Sequence, residues 1–130
     1  ILLLAMSRRR RLVSVLLLAM IAATTGRRIH LCVNPYGGGG VGMSVLDSVL
    51  PIFEVAGVQV VTLLTDYAGH AGDYVRNEEL LDAFVGIGGD GTAHEIASAM
   101  MNRPVKDRVP IGIIPAGSGN TWAYDLGLEE

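Results

Sequence analysis

The spacing of apolar residues changes several times along the chain, and each change marks an element. Ile29-His30-Leu31-Cys32-Val33 is a short β-rich run that stops at Asn34-Pro35, because Pro35 biases Asn34 away from helix. A loop, Tyr36-Gly37-Gly38-Gly39-Gly40, comes next. Val41, Val45, Leu46, Val49 and Ile52 then recur at helical spacing, which predicts a helix over residues 42–55 with Pro51 disturbing its last turn. Gly57 ends that helix, and Val58 to Leu64 reads as a second buried strand bounded by Thr65-Asp66. The pattern continues with a helix over 69–77, acids and leucines at 78–82, and a strand over 83–87. A helix over 92–101 carries Ile96, Ala97, Met100 and Met101 on its apolar side, and Asn102-Arg103-Pro104 breaks it. Residues 111–114 form a fourth strand; the turn Pro115-Ala116-Gly117-Ser118-Gly119 leads into a last helix from near Asn120.

Strands that alternate with helical segments predict an α/β fold: a parallel, Rossmann-like sheet with right-handed crossovers. Ligands of such sheets gather at the carboxyl ends of the strands. The length of 130 residues suits one domain of ordinary size. Half of the residues are hydrophobic, only 5% are aromatic and 17 are glycine, which agrees with aliphatic strands joined by glycine-rich turns.

The first 28 residues differ from the rest. Met6 to Gly26 has a basic start, Arg8 to Arg11, then an apolar stretch from Leu12 to Ala23 and small residues after it, the layout of a targeting signal. The stretch is short for a membrane span, which needs on the order of 20 residues. Residues 1–28 are therefore expected to be a targeting or membrane-anchor leader, with a signal peptide or an organelle-targeting sequence over 6–26 as the leading reading. Charge divides at the same place. The chain's net charge is −3, yet residues 29–130 hold all thirteen acids and only four of the ten basic residues. Nucleic acid is excluded as a partner, since binding it needs a basic face. The single Cys32 cannot make an intrachain disulfide and reads as a small buried hydrophobe of a reducing compartment.

Three turns share one plan: Asn34-Pro35-Tyr36-Gly37-Gly38-Gly39-Gly40, Gly88-Gly89-Asp90-Gly91-Thr92 and Pro115-Ala116-Gly117-Ser118-Gly119-Asn120. Each follows an apolar strand and precedes a helix, so each offers bare backbone N–H groups and a helix N-terminus to an anion. Together they suggest a nucleotide. Neither a Walker Gly-Lys-Ser/Thr nor a properly placed Gly-x-Gly-x-x-Gly is present. Asp90, between Gly89 and Gly91, is uncrowded by neighbouring side chains; beside phosphates it would meet Mg²⁺ or a substrate hydroxyl. Glu95 lies five residues on, where it could brace the turn, reach the nucleotide, or simply match the dipole of its own helix as a first-turn acid. His70 and His94 read as local packing or hydrogen-bonding residues, since no metal-ligand spacing joins them to a third ligand.

Gly88-Gly89-Asp90-Gly91-Thr92-Ala93-His94-Glu95, with Pro115 to Asn120 and Asn34-Pro35-Tyr36-Gly37-Gly38, resembles the catalytic domain of the diacylglycerol kinase and sphingosine kinase superfamily of lipid kinases. Leu64-Thr65-Asp66-Tyr67-Ala68-Gly69-His70-Ala71 resembles that family's Thr-x-x-x-x-His-Ala element, and all four segments stand in the family's order. The resemblance covers residues 29–128. It implies transfer of the γ-phosphate of Mg·ATP to the hydroxyl of a lipid, a sphingoid base or a diacylglycerol, at a membrane surface inside the cell. It implies ATP binding by Asn34, Pro35 and Tyr36, by Thr65, Asp66, Tyr67, Ala68 and Gly69, by Glu95, and by Gly117, Ser118 and Gly119. Gly88, Gly89, Asp90, Gly91 and Thr92 would form the phosphate turn. Asp90 would be catalytic, as proton acceptor by likeness to sphingosine kinases, whereas bacterial diacylglycerol kinases give that task to an acid of the next domain. No protein metal ligand is assigned, other than Asp90 acting through Mg²⁺.

The family continues into a β-rich second domain that closes over the nucleotide and forms most of the lipid site; the resemblance implies that residues 29–130 are a truncated catalytic domain without it. The Gly37–Gly40 run also lacks the basic residue often found in that loop. Two other readings stay open. An NAD kinase uses a related Gly-Gly-Asp-Gly-Thr turn on a similar sheet, though without Pro-Ala-Gly-Ser-Gly-Asn. A non-catalytic nucleotide- or lipid-binding module is the other. The lipid, the oligomeric state and the partner of Asp90, hydroxyl or metal, are not specified by the sequence.

Overall fold

A computed structural model of the chain describes residues 4–5, 26, 28–79 and 82–125. The strands are β1 (Leu4–Ala5), β2 (Ile29–Val33), β3 (Val60–Leu64), β4 (Ala83–Gly88) and β5 (Ile111–Pro115), and the helices α1 (Val41–Val55), α2 (His70–Asn77), α3 (Asp90–Met101) and α4 (Thr121–Asp125). They build one parallel sheet in the order β1-β5-β4-β2-β3. The expected α/β parallel-sheet class is therefore what the chain adopts. The leader reading rests mostly on residues outside the described ones; Leu4–Ala5 is described, and pairs with Gly112–Ile113 on the outer side of β5. An open strand edge offers a row of unpaired N–H and C=O groups, and β1 covers that of β5.

The sheet separates two cores. Ile29, Leu31, Val33, Val85 and Ile87 point to one face, where Val45, Leu46, Val49 and Phe53 of α1 cover them. Cys32, Phe84, Ile111 and Ile113 point to the other, against Ala71 and Val75 of α2 and Ala93, Ile96 and Met100 of α3. β2 and β4 are buried along their whole length. Gly37–Val55 is long and apolar enough to cross a membrane, but the buried residues of α1 are the ones packed on the sheet.

Boundaries depart from the sequence reading in instructive ways. β3 starts at Val60 rather than Val58 and is half-exposed, because among the described residues it is an edge strand paired with β2 alone. Val58 belongs to the end of α1: its N–H donates to Phe53 O and the Gly57 N–H to Glu54 O, with Gly57 at φ 70°. That pair of bonds is the Schellman termination, in which glycine takes the left-handed position at no steric cost. Pro51 does not end α1, which runs on to Val55. α3 starts at Asp90, two residues before the expected Thr92, so Asp90 sits in its first turn. An acid there faces the positive end of the helix dipole.

The order of strands also fixes where a ligand belongs. The chain runs from β2 outward to β3, then crosses back to β4 on the other side of β2 and on to β5. Direction reverses between β2 and β4, and the crevice at the carboxyl ends of such a pair is where open α/β sheets bind ligands. Asn34 and Gly89 follow those two strand ends.

Candidate active site

The loop after β2 is closed by Asn34, whose Oδ1 accepts the N–H groups of Tyr36 and Gly37, each at 3.0 Å. Asparagine does this well because its short side chain mimics a backbone carbonyl. The Gly38, Gly39 and Gly40 that follow all hold positive φ. A Cβ on Gly38 would collide with the Ala116 carbonyl oxygen, so this loop lies directly on the turn after β5. That turn lies in its own right on the turn after β4. A Cβ on Gly117 would collide with Gly89 Cα, one on Gly89 would stand 3.1 Å from Gly117 Cα, and the Ala116 N–H donates to Gly88 O at 2.8 Å. The three glycine turns of the sequence thus form one continuous backbone seam across β2, β4 and β5.

Asp90 stands at this seam, lining a small cleft with Gly88, Gly89, Ile113, Asn120 and Trp122. Its Oδ1 accepts the backbone N–H of Trp122 at 3.1 Å, and Oδ2 lies 3.0 Å from where a Cβ on Gly119 would be. A backbone hydrogen bond from Thr121, joined by those of Trp122 and the Thr121 side chain, holds the Asp90 carboxyl below its ordinary value, while partial burial opposes the shift. Hydrogen bonds to the charged form favour it. The acid that looked bare in the sequence is in fact held by the first turn of α4. Capacity remains, since an ionised carboxylate offers about four lone-pair sites.

Glu95 proves not to be a first-turn acid of its own helix, because α3 starts at Asp90. Its Oε1 instead accepts the N–H of Gly69 at 2.9 Å, bracing the start of α2, where Gly69 takes φ 93°. The Thr65–Gly69 loop and Glu95, grouped by resemblance, are thus joined by a direct bond. Within that loop Thr65 is buried, whereas Asp66, Tyr67 and Ala68 are exposed. Tyr67 stacks on His70 with ring centroids 4.5 Å apart, and its hydroxyl donates to Asp73 at 3.0 Å. His70 Nδ1 accepts the Asp66 N–H at 3.1 Å and lies 4.0 Å from the Asp66 carboxylate. His94 approaches Ser98 within its own helix. Both histidines are local, as expected.

Not every residue of the expected phosphate turn faces outward. Thr92 is buried beneath Gly88, where a Cβ would collide with its hydroxyl, so Thr92 packs the turn rather than presenting a group to a ligand. Gly91, Gly119, Ser118 and Tyr36 are exposed. Sequence reasoning missed Asn120 and Trp122 as site residues. Asn120 could have been found by its motif position; Trp122 could not, because its contribution is a backbone N–H 32 residues from Asp90. Among the described residues no three His, Cys, Asp or Glu side chains gather to hold a metal ion. Mg²⁺ commonly binds through substrate phosphates with one or two carboxylates, so this edge fits a cation that arrives with a nucleotide.

The model of the diacylglycerol kinase catalytic domain matches residues 28–130. The chain is 37% identical to sphingosine kinase 1 of Homo sapiens over 105 residues, covering 76% of the chain and 27% of that protein. It is 33% identical to the diacylglycerol kinase of Bacillus subtilis over 104 residues, covering 78% of the chain and 34% of that protein. A crystal structure of a diacylglycerol kinase from Bacillus anthracis superposes with a TM-score of 0.66 at 29% identity, covering 78% of the chain and 37% of that structure. The chain therefore spans roughly a third or less of each curated relative's length. With the seam of glycine turns at the β2 and β4 strand ends and Asp90 upon it, these matches place the chain in the diacylglycerol kinase and sphingosine kinase superfamily of lipid kinases.

Proposed function

We propose that the chain is the nucleotide-binding part of an ATP-dependent kinase that phosphorylates a lipid hydroxyl. The observation that carries this reading is the convergence of three glycine turns on the switch point of the sheet, with one carboxylate fixed among them. Exposed backbone at Gly39, Gly91 and Gly119 would take the phosphates of ATP, since bare N–H groups at strand ends and helix starts favour anions. The Asn34–Tyr36 loop, the Thr65–Gly69 loop braced by Glu95, and Gly117–Gly119 would surround the rest of the nucleotide. Mg²⁺ would enter on the phosphates and offset their charge.

In the transfer, the acceptor oxygen bonds to the γ-phosphorus, the bond from that phosphorus to the bridging β–γ oxygen breaks, ADP leaves, and the hydroxyl proton passes to Asp90. A carboxylate held below its ordinary pKa is a weak base. That suits a loose transition state, in which little charge builds on the attacking oxygen until late, so orientation matters more than early deprotonation. Asp90 would thus mainly aim the hydroxyl. The acceptor, a sphingoid base or diacylglycerol, would be met at a membrane surface inside the cell, where ATP is found.

The test is to incubate the protein with labelled Mg·ATP and sphingosine, diacylglycerol or NAD. Transfer to one of the lipids is expected. Asp90→Asn should keep the fold by circular dichroism and lower transfer by about 10²–10⁴-fold, the usual contribution of a positioned proton acceptor. Phosphorylation of NAD alone would remove the lipid reading, and ATP binding without transfer to any acceptor would make the chain a binding module.

A further inference from the structure

Asn120 holds a left-handed backbone, φ 53°, alone among the described non-glycine residues. Its side-chain amide closes a two-point clamp on a single residue: Nδ2 donates to Gly117 O at 2.8 Å and Oδ1 accepts the Gly117 N–H at 3.1 Å. Gly117 is the residue whose backbone lies against Gly89, with no room for a Cβ between them. On the other side of Asn120 the chain turns at once into α4, whose first two residues direct their N–H groups at Asp90. Gly89 and Asp90 are neighbours in sequence. A closed circuit results, from Asn120 through Gly117 and Gly89 to Asp90, and from Asp90 through Trp122 back to Asn120.

α4 is a helix of only five described residues, so the direction of its first N–H groups depends on how Asn120 leads into it. Asparagine is among the few side chains that tolerate the left-handed region and can bond locally from it. Its amide supplies one donor and one acceptor to Gly117, a match that an ionised aspartate, an acceptor only, cannot reproduce. We propose that Asn120 is a positioning residue: by clamping Gly117 it sets both the height of the seam under Asp90 and the direction of the N–H groups that fix the Asp90 carboxylate. This deepens the lipid kinase reading and rests on it for its consequence in transfer, while the clamp itself is a property of the chain alone.

The decisive variant is Asn120→Gly, since glycine keeps φ near 53° without strain and removes only the amide. Amide hydrogen exchange at the Trp122 backbone N–H, measured by NMR on the 130-residue chain, reads the grip on Asp90 directly. Loss of the clamp is expected to speed that exchange by about tenfold, roughly the effect of one to two hydrogen bonds. In an Asp90→Ala background, where Trp122 has already lost its acceptor, Asn120→Gly should add less than about twofold, the non-additivity expected of one network. Exchange unchanged by Asn120→Gly, or sped equally in both backgrounds, would overturn the clamp.

In the phosphate-transfer assay, Asn120→Gly should lower kcat by about tenfold or more, because small misplacements of a reacting group are costly, and leave KM for ATP within about twofold. An unchanged kcat would overturn the positioning role. A raised KM with normal kcat would do the same, by making Asn120 a nucleotide contact. If the wild-type protein transfers no phosphate to any acceptor, the functional reading fails and the transfer consequence fails with it, while the exchange experiment still decides the clamp.

Discussion

Glycines of the same three turns serve opposite ends at two places on the sheet edge. At the seam, Gly38, Gly89 and Gly117 leave no space for a side chain: another backbone stands where a Cβ would be. At the rim, Gly39 and Gly91 have nothing within 4 Å of that position. Seam glycines are therefore a condition of folding, because two chains of backbone approach as closely as bare peptide allows. Rim glycines leave their backbone open. The idea that bareness means open backbone holds for the rim and fails for the seam, although both kinds of glycine stand side by side in the sequence.

The contrast is broken most forcefully at Gly117. Gly117→Ala should destabilise the chain by about 3 kcal/mol, the upper part of the range for overpacking, since its neighbour is backbone and cannot rotate away. Urea unfolding checks this; a loss under about 0.5 kcal/mol, within the noise of surface substitutions, would dissolve the distinction.

Acid sharpens the seam next. Because the folded state holds the Asp90 carboxyl below its ordinary value, its contribution is complete above the unfolded value of about 3.9 and is lost as pH falls through the lower folded value. The difference in melting temperature between wild type and Asp90→Asn should be widest near pH 6 and shrink steadily below pH 4. A gap that stays constant down to pH 2.5 would show that the N–H groups of α4 do not select the ionised form.

At the rim the sign reverses. Gly91 lies inside α3, its φ is not left-handed, and space is open around it, so Gly91→Ala should stabilise the chain by about 0.5 kcal/mol. The same variant should weaken binding of Mg·ATP if the phosphates approach this turn. Calorimetry on one preparation reads both quantities, and stabilisation with unaltered nucleotide affinity would remove Gly91 from the site.

The smallest effect is expected at Cys32, beneath the seam. Burial, with Glu95 nearby, pushes its thiol up to about 12, so at pH 8 it stays protonated and shielded. Iodoacetamide should modify it only through opening of the sheet. Gly117→Ala should accelerate that labelling and Gly91→Ala should not, which compares seam and rim through a probe that touches neither.

How much of this was legible beforehand follows the range of the interactions. Strands at 29–33, 83–87 and 111–114, the helix that Gly57 ends and the three turns were all readable, because each is encoded by periodicity or by a turn residue within a few positions. Asn34 closing its own loop is of the same kind, with partners two and three residues away. The exposure of β3 was not readable, since a run of Val and Leu looks the same at the centre of a sheet as at its edge. Glu95 meeting Gly69 across 26 residues, and Asp90 meeting Trp122 across 32, were equally hidden. Such pairs depend on which strands are neighbours, and the order β1-β5-β4-β2-β3 is not written in any local pattern.

The sequence by itself determined the family, the parallel α/β class and the three glycine turns, because motif order, periodicity and glycine placement are properties of the chain read in one dimension. Only the tertiary structure decided what each glycine is for and how Asp90 is held. Packing brings Gly89 against Gly117 and turns the N–H of Trp122 toward a carboxylate, and a contact between backbones leaves no side-chain signature from which it could have been read.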